Sequence, residues 1–266
     1  MAMSPFRIGR CGLLAFVALV FAGAMGAQQM QPLKPMAADA HPSFDVASIK
    51  LADPNDGGSG FQTQGRRVYV ENETMNNIIS YAYGVHAKQI VGAPSWFESV
   101  RYDIRGLPDV DGIPNTAQYR EMLVKLLADR FQLKFHREKR ELSCYAITVA
   151  KGGPKIEASK SNGLPDQTGR NSRSQASWRI TNNTMEDFAK FLQMGALDRP
   201  VVDQTGLKGK YDFQLTWTKD LAPATDENAA PGFFTAIQEQ AGLKVEPSKA
   251  EVDVLAIDHV VQPSAD

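Results

Sequence analysis

Val70-Glu71-Asn72-Glu73-Thr74-Met75 returns 110 residues later as Ile180-Thr181-Asn182-Asn183-Thr184-Met185. The same spacing carries Leu133-Lys134 onto Leu243-Lys244, and Glu141-Leu142-Ser143-Cys144-Tyr145-Ala146-Ile147 onto Glu251-Val252-Asp253-Val254-Leu255-Ala256-Ile257. Between these blocks, Arg101-Tyr102-Asp103-Ile104 matches Lys210-Tyr211-Asp212-Phe213 with a one-residue slip, the trace that a single loop deletion leaves. Separated blocks at one spacing read as an internal duplication, which sets the architecture before any motif is interpreted.

The copies align element by element. Arg67-Val68-Tyr69-Val70 and Trp178-Arg179-Ile180 have the β-branched and aromatic content of short strands. Thr74 and Thr184 then stand at helix N-cap positions. Met75, Ile78, Ile79 and Ala82, and Met185, Phe188, Ala189 and Leu192, follow at i, i+3, i+4 and i+7, one helical face each. A short apolar segment (Gln89-Ile90-Val91 or Pro200-Val201-Val202) and a turn lead to the Tyr-Asp strand. A second helix carries Tyr119, Met122, Leu123, Leu126, Leu127 and Phe131 on one face, opened by Asn115 or Thr116 behind Pro114. Its counterpart is shorter and carries Phe233, Phe234, Ile237 and Ala241. Each copy is expected to close with two strands joined by a polar hairpin, Arg137 to Arg140 in one and Pro247 to Lys249 in the other. The fold class is therefore α+β: two tandem repeats of a β-α-β-β-α-β-β unit, each a mixed sheet with its helices on one face. A leading strand, Phe44 to Ile49, has no counterpart in the second copy at this level and is expected to add to a sheet edge.

Outward from the repeats, residues 1–27 read as a secretory signal: Arg7 and Arg10 precede an apolar run, Cys11 to Met25, too short and Gly/Ala-rich to span a membrane. Cleavage is expected between Ala24 and Gln28, leaving membrane contact only through an uncleaved segment. Removal of Cys11 leaves Cys144 as the only thiol, so stability rests on packing and not on an internal disulfide. Residues 28–42 read as a flexible tether, 43–150 as the first repeat with its extra strand, 151–175 as a linker and 176–262 as the second repeat. Lys219 to Pro231 is a further weakly patterned stretch. A net charge of -1 with interspersed signs argues against nucleic acid as a partner.

No motif names a chemistry. The four histidines, His41, His86, His136 and His259, lack metal-binding spacing, and no cofactor or metal is implied. Gly57-Gly58-Ser59-Gly60 lacks the spacing of a nucleophile elbow. Asp103 and Asp212 are the most informative carboxylates, because both copies place one after a strand tyrosine. They read either as a symmetric pair across a cleft, for acid/base work or a cation, which would make the chain a hydrolase with a site between lobes, or as structural groups, each Asp meeting a neighbouring backbone N–H or an Arg while its Tyr packs in the core. The loops ahead of these strands concentrate Trp96, Phe97, Arg199 and Asp203 beside Gly and Pro, the residue types that anchor interfaces. Trp96 and Phe97 could line a recognition pocket or equally plug the loop into the core.

The segments Phe44 to Lys50, Gly92 to Phe97, Leu126 to Phe131, His136-Arg137-Glu138, Lys151 to Lys155, Arg199 to Asp212 and Ile257-Asp258-His259 together resemble an uncharacterised secreted family, a domain of unknown function expanded in soil Acidobacteria. That resemblance implies no catalytic residues. Relatives of the domain occur attached to membrane metallopeptidases of the antibiotic-sensor type, which implies an extracytoplasmic sensing or interaction module. The peptidase's His-Glu-x-x-His is missing from this sequence, so no protease activity follows. The expected role is exported, non-catalytic binding, sensing or scaffolding, with a protein or cell-envelope component as partner.

Overall fold

The two threonines that mark the repeated block each open a helix in the computed structural model, which describes residues 34–53, 57–219 and 231–263. Thr74 Oγ1 accepts from Asn77 N at 3.2 Å, and Thr184 Oγ1 from Asp187 N at 3.0 Å. In the second helix Asp187 reaches back to Thr184 N at 3.0 Å and closes a capping box. The predicted leader, the first part of the tether and most of the stretch from Lys219 to Pro231 lie outside the described residues.

The first half runs β1 (Phe44–Leu51), β2 (Gly60–Gln64), β3 (Arg67–Thr74), α1 (Met75–Tyr83), β4 (Ile90–Val91), α2 (Trp96–Ser99), β5 (Arg101–Pro108), α3 (Thr116–Arg130) and β6 (Lys134–Val149). The second runs β7 (Glu157–Ala158), β8 (Asp166–Asn171), β9 (Gln175–Asn183), α4 (Met185–Gly195), β10 (Val201–Asp203), β11 (Tyr211–Thr218), α5 (Phe233–Ala236), which continues as a π turn over Ile237–Ala241, and β12 (Leu243–His259). The class is α+β, with three four-stranded sheets among the described residues. Two sheets have matching orders, β1-β5-β3-β2 and β7-β11-β9-β8, and the third, β10-β6-β12-β4, draws strands from both halves.

This third sheet corrects two expectations. The charged run Arg137 to Arg140 is not a hairpin but the middle of β6, opposite Val252 to Leu255 of β12; Pro247 to Lys249 likewise lies within β12. Each half keeps one sheet of its own, antiparallel throughout and not the mixed sheet expected, and the parallel pairs occur in the sheet that the halves share. Arg137 to Arg140 contains no Gly, Asn or Pro to turn the chain, and its charges sit on an exposed ribbon where Lys139 faces Asp253 at 3.9 Å. Pro247 is tolerated because the opposite residue, Tyr145, directs its N–H away to Pro200 O at 2.8 Å. The proline nitrogen thus also points outward, where among the described residues β4 covers only Leu255 and Ala256.

The register makes Glu141 pair with Glu251, residues separated by the repeat spacing itself. A local two-fold relation through that pair carries β4 on β12 (Ile90 opposite Leu255) onto β10 on β6 (Val201 opposite Tyr145). Three further expectations are corrected. The leading strand has a counterpart: β1 sets Leu51 opposite Tyr102, and β7 sets Ala158 opposite Tyr211. That counterpart and β8 come from residues 151–175, expected to be a linker. The tether also packs from its described start, with Met36 buried and its N–H bonded to Ile113 O at 2.8 Å.

Two apolar cores result. The first gathers Met75, Ile78, Ile79, Phe97, Tyr102, Leu123 and Leu127, and also Leu255 from β12. The second gathers Met185, Phe188, Leu192, Leu215 and Leu243, and also Ile147 from β6. Each half contributes a strand to the core of the other.

Candidate functional site

Asp103 and Asp212 occupy equivalent local structures. Asn72 and Asn182 take left-handed backbone angles (φ 49 and 56), and the strand pairing slips beside each, between Val70 and Glu73 and between Tyr211 and Phe213. A bulge of this kind leaves an N–H without a ladder partner. Asp103 Oδ1 accepts it from Asn72 at 2.8 Å, and Asp212 Oδ1 from Asn182 at 2.7 Å. Each carboxylate is fastened inside its own sheet, and Tyr102 beside Asp103 is core. Replacing either aspartate by Ala is expected to cost about 1–3 kcal/mol in urea unfolding, because a charged acceptor is lost and its donor left unpaired. Asn, which keeps Oδ1, should cost less than half as much. Equal losses for Ala and Asn would remove the bulge-capping role.

The four residues expected to share a contact surface are not brought together. Phe97 is 1% exposed and belongs to the first core, so it offers nothing to a partner. Trp96 is half-buried against it, with ring centroids 4.8 Å apart. Arg199 lies 5.3 Å over the Tyr145 ring and reaches Ser143 Oγ at 3.3 Å, while Asp203 Oδ1 is taken by Thr205 N and Oγ1 at 2.8 and 2.7 Å. Trp96 follows β4 and Asp203 ends β10, on opposite edges of the central sheet. These strands run in opposite directions, since each is parallel to one member of an antiparallel pair.

The halves instead create concave surface where α1, α3 and α4 meet. Gln193 Nε2 of α4 donates to Gly84 O at 3.2 Å, and its Oε1 accepts from Val201 N at 3.1 Å, so one buried amide ties the end of α1 to β10. Beside it, a cavity of about 360 Å³ is lined by Glu73, Asn77, Ser80, His86 and Met194. His86 caps the following turn by accepting from Lys88 N at 3.1 Å; burial, with the nearby Lys88 charge, holds its imidazole below the ordinary value. A second cavity of about 570 Å³ shares Tyr81 and Met194 with the first and adds Arg120, Lys190, Phe191 and Leu164. Tyr81 stacks on Phe61 at 4.0 Å and carries the Arg120 guanidinium 5.2 Å over its ring. Burial pushes the Tyr81 phenol up, with the Arg120 charge drawing it partway back.

Among the described residues, no group of three or more His, Cys, Asp or Glu side chains forms a metal site, and Cys144 is buried with its thiol pushed up by desolvation. The junction residues were not singled out by the sequence. Tyr81, Arg120 and Met194 belong to three separate helices, and Arg120 follows Tyr119, the residue marked there as core. A charged side chain directly beside an apolar face was the one available signal.

A family profile described as a protein of unknown function, DUF3738, matches residues 76–260. No curated protein and no solved structure matches.

Proposed function

The chain belongs to the DUF3738 family, and we propose that it is an exported, non-catalytic binding module in which two copies of one α+β unit hold the ligand surface between α1, α3 and α4. The observation that carries this reading is the junction cavity of about 570 Å³, a volume in the range of small-molecule sites, with aromatic and thioether walls and the side chains of Arg120, Lys190 and Asp187 among its lining. Support for the hydrolase reading is weaker, since Asp103 and Asp212 are occupied by backbone donors in separate sheets. Export rests on the sequence of residues 1–27, and the duplication on the matched spacing of caps, bulges and strand register.

Protein recovered from the envelope of its native host is expected to begin near Gln28. The purified mature chain should gain about 3–6 °C in Tm when a small-molecule extract of that envelope supplies ligand near ten times its Kd. Full-length protein confined to the cytoplasm would overturn export. An unmoved melt would overturn small-molecule binding, and consumption of an extract component would overturn the non-catalytic role.

A further inference from the structure

We propose that the larger junction cavity binds a small organic carboxylate through Arg120, with the apolar body of the ligand lying against Phe191 and Met194. This rests on the binding role and names its ligand class. A guanidinium offers five N–H donors in one plane. Among the described residues Nη2 meets only the Met194 sulfur, at 3.3 Å, and Nε is shut from solvent with no acceptor. One face lies over Tyr81. A ring and a thioether hold the cation without neutralising it, and among the described residues no carboxylate pairs with it. A partly buried charge left in that state is costly, and an arriving anion relieves the cost.

The other charged groups of the cavity are already engaged. Lys190 Nζ is held by Glu186 at 2.7 Å. Asp187 Oδ2 accepts from Thr184 N and Oγ1 at 3.0 and 2.7 Å, and its charge lies at the start of α4, where the helix dipole offsets it. One unpaired guanidinium therefore calls for one negative charge. A carboxylate supplies that charge in the bidentate geometry of the fork, whereas a doubly charged phosphate would bring charge that nothing in the cavity balances. The remaining wall selects the rest of the ligand. Phe191 and Met194 are apolar, and Leu164 at the rim is 66% exposed, a large apolar side chain that a bound ligand body would cover.

The test uses the full mature chain and naphthalene-2-carboxylate as probe, followed by calorimetry and by the Arg side-chain N–H resonances in NMR. Saturable 1:1 binding with Kd below about 1 mM is expected. Arg120→Gln should weaken it at least tenfold, as loss of a charged hydrogen bond does, and Phe191→Ala several-fold. The uncharged naphthalene-2-carboxamide should bind at least tenfold more weakly, and millimolar inorganic phosphate should not compete. Unchanged affinity in Arg120→Gln, equal binding of the amide, competition by phosphate, or no saturation by 10 mM would each overturn the proposal. If Arg120→Gln does not fold, the Arg120 Nε–H resonance of the wild type decides: it must shift with the carboxylate and stay in place with the amide. An envelope extract that still raises Tm when the probe fails would remove the ligand class and leave the binding role standing.

Discussion

Gly242→Gln, which installs the residue found 110 positions earlier, is expected to unfold the protein or to cost more than about 3 kcal/mol. Gly242 has φ 65, and a Cβ there would stand 2.1 Å from Gly153 O and 2.8 Å from Lys155 N. These are backbone atoms of the chain leaving β6 for β7, so no side-chain rotation relieves the overlap. Retreat of that segment would break Ala150 N to Gly242 O at 3.0 Å and Lys155 N to Ala241 O at 2.9 Å. Gln132 adopts the same left-handed conformation, φ 50, but is exposed. Gln132→Gly should therefore change stability by less than about 1 kcal/mol, since relief of strain is offset by a more flexible unfolded chain. Urea denaturation of both variants checks the pair. Similar losses at the two positions would mean that the crossing over Gly242 is not the source of the constraint.

That contrast shows which parts of the fold are legible in one sequence. Caps and helical faces are, because Thr74, Thr184 and the i, i+3, i+4 apolar residues depend on neighbours a turn away. The Tyr-Asp strands are legible as strands, and the need for aspartate there becomes clear only once the left-handed Asn72 and Asn182 show which N–H groups turn from the strand ladder to a side-chain acceptor. Arg137 to Arg140 misled because a charged run between apolar segments has the composition of a turn whether the chain reverses or continues along an exposed ribbon. β7 escaped because two paired residues, Glu157 and Ala158, leave no periodicity. The junction cavity was the least legible, since Tyr81, Arg120 and Phe191 meet only after three helices have docked.

The exchange of β6 and β12 between the halves predicts that neither half folds alone. Residues 28–150 and residues 151–266, expressed separately, should each fail to give a monomer with a cooperative melt, although each resembles a domain in length. The first fragment would lose Leu255 from its core, with Ile257 and Val260 packed against it, and the second would lose Ile147 and Tyr145. A buried side chain of this size contributes about 1.5–3 kcal/mol, so two or three of them take a large share of a net stability of about 5–15 kcal/mol. The backbone loss is as serious, because β6 and β12 are each other's principal partner along nearly their whole lengths, and either strand alone exposes a long edge. Such an edge pairs with whatever is present. In the first fragment that is a second copy of itself, with Glu141 meeting Glu141 where it now meets Glu251. Mixing the fragments should restore a 1:1 complex with the circular dichroism of the intact chain, while each alone is aggregated, unfolded or self-paired by light scattering. A monomeric, cooperatively melting 28–150 would show that the first core closes without β12, and the halves would then be domains in their own right.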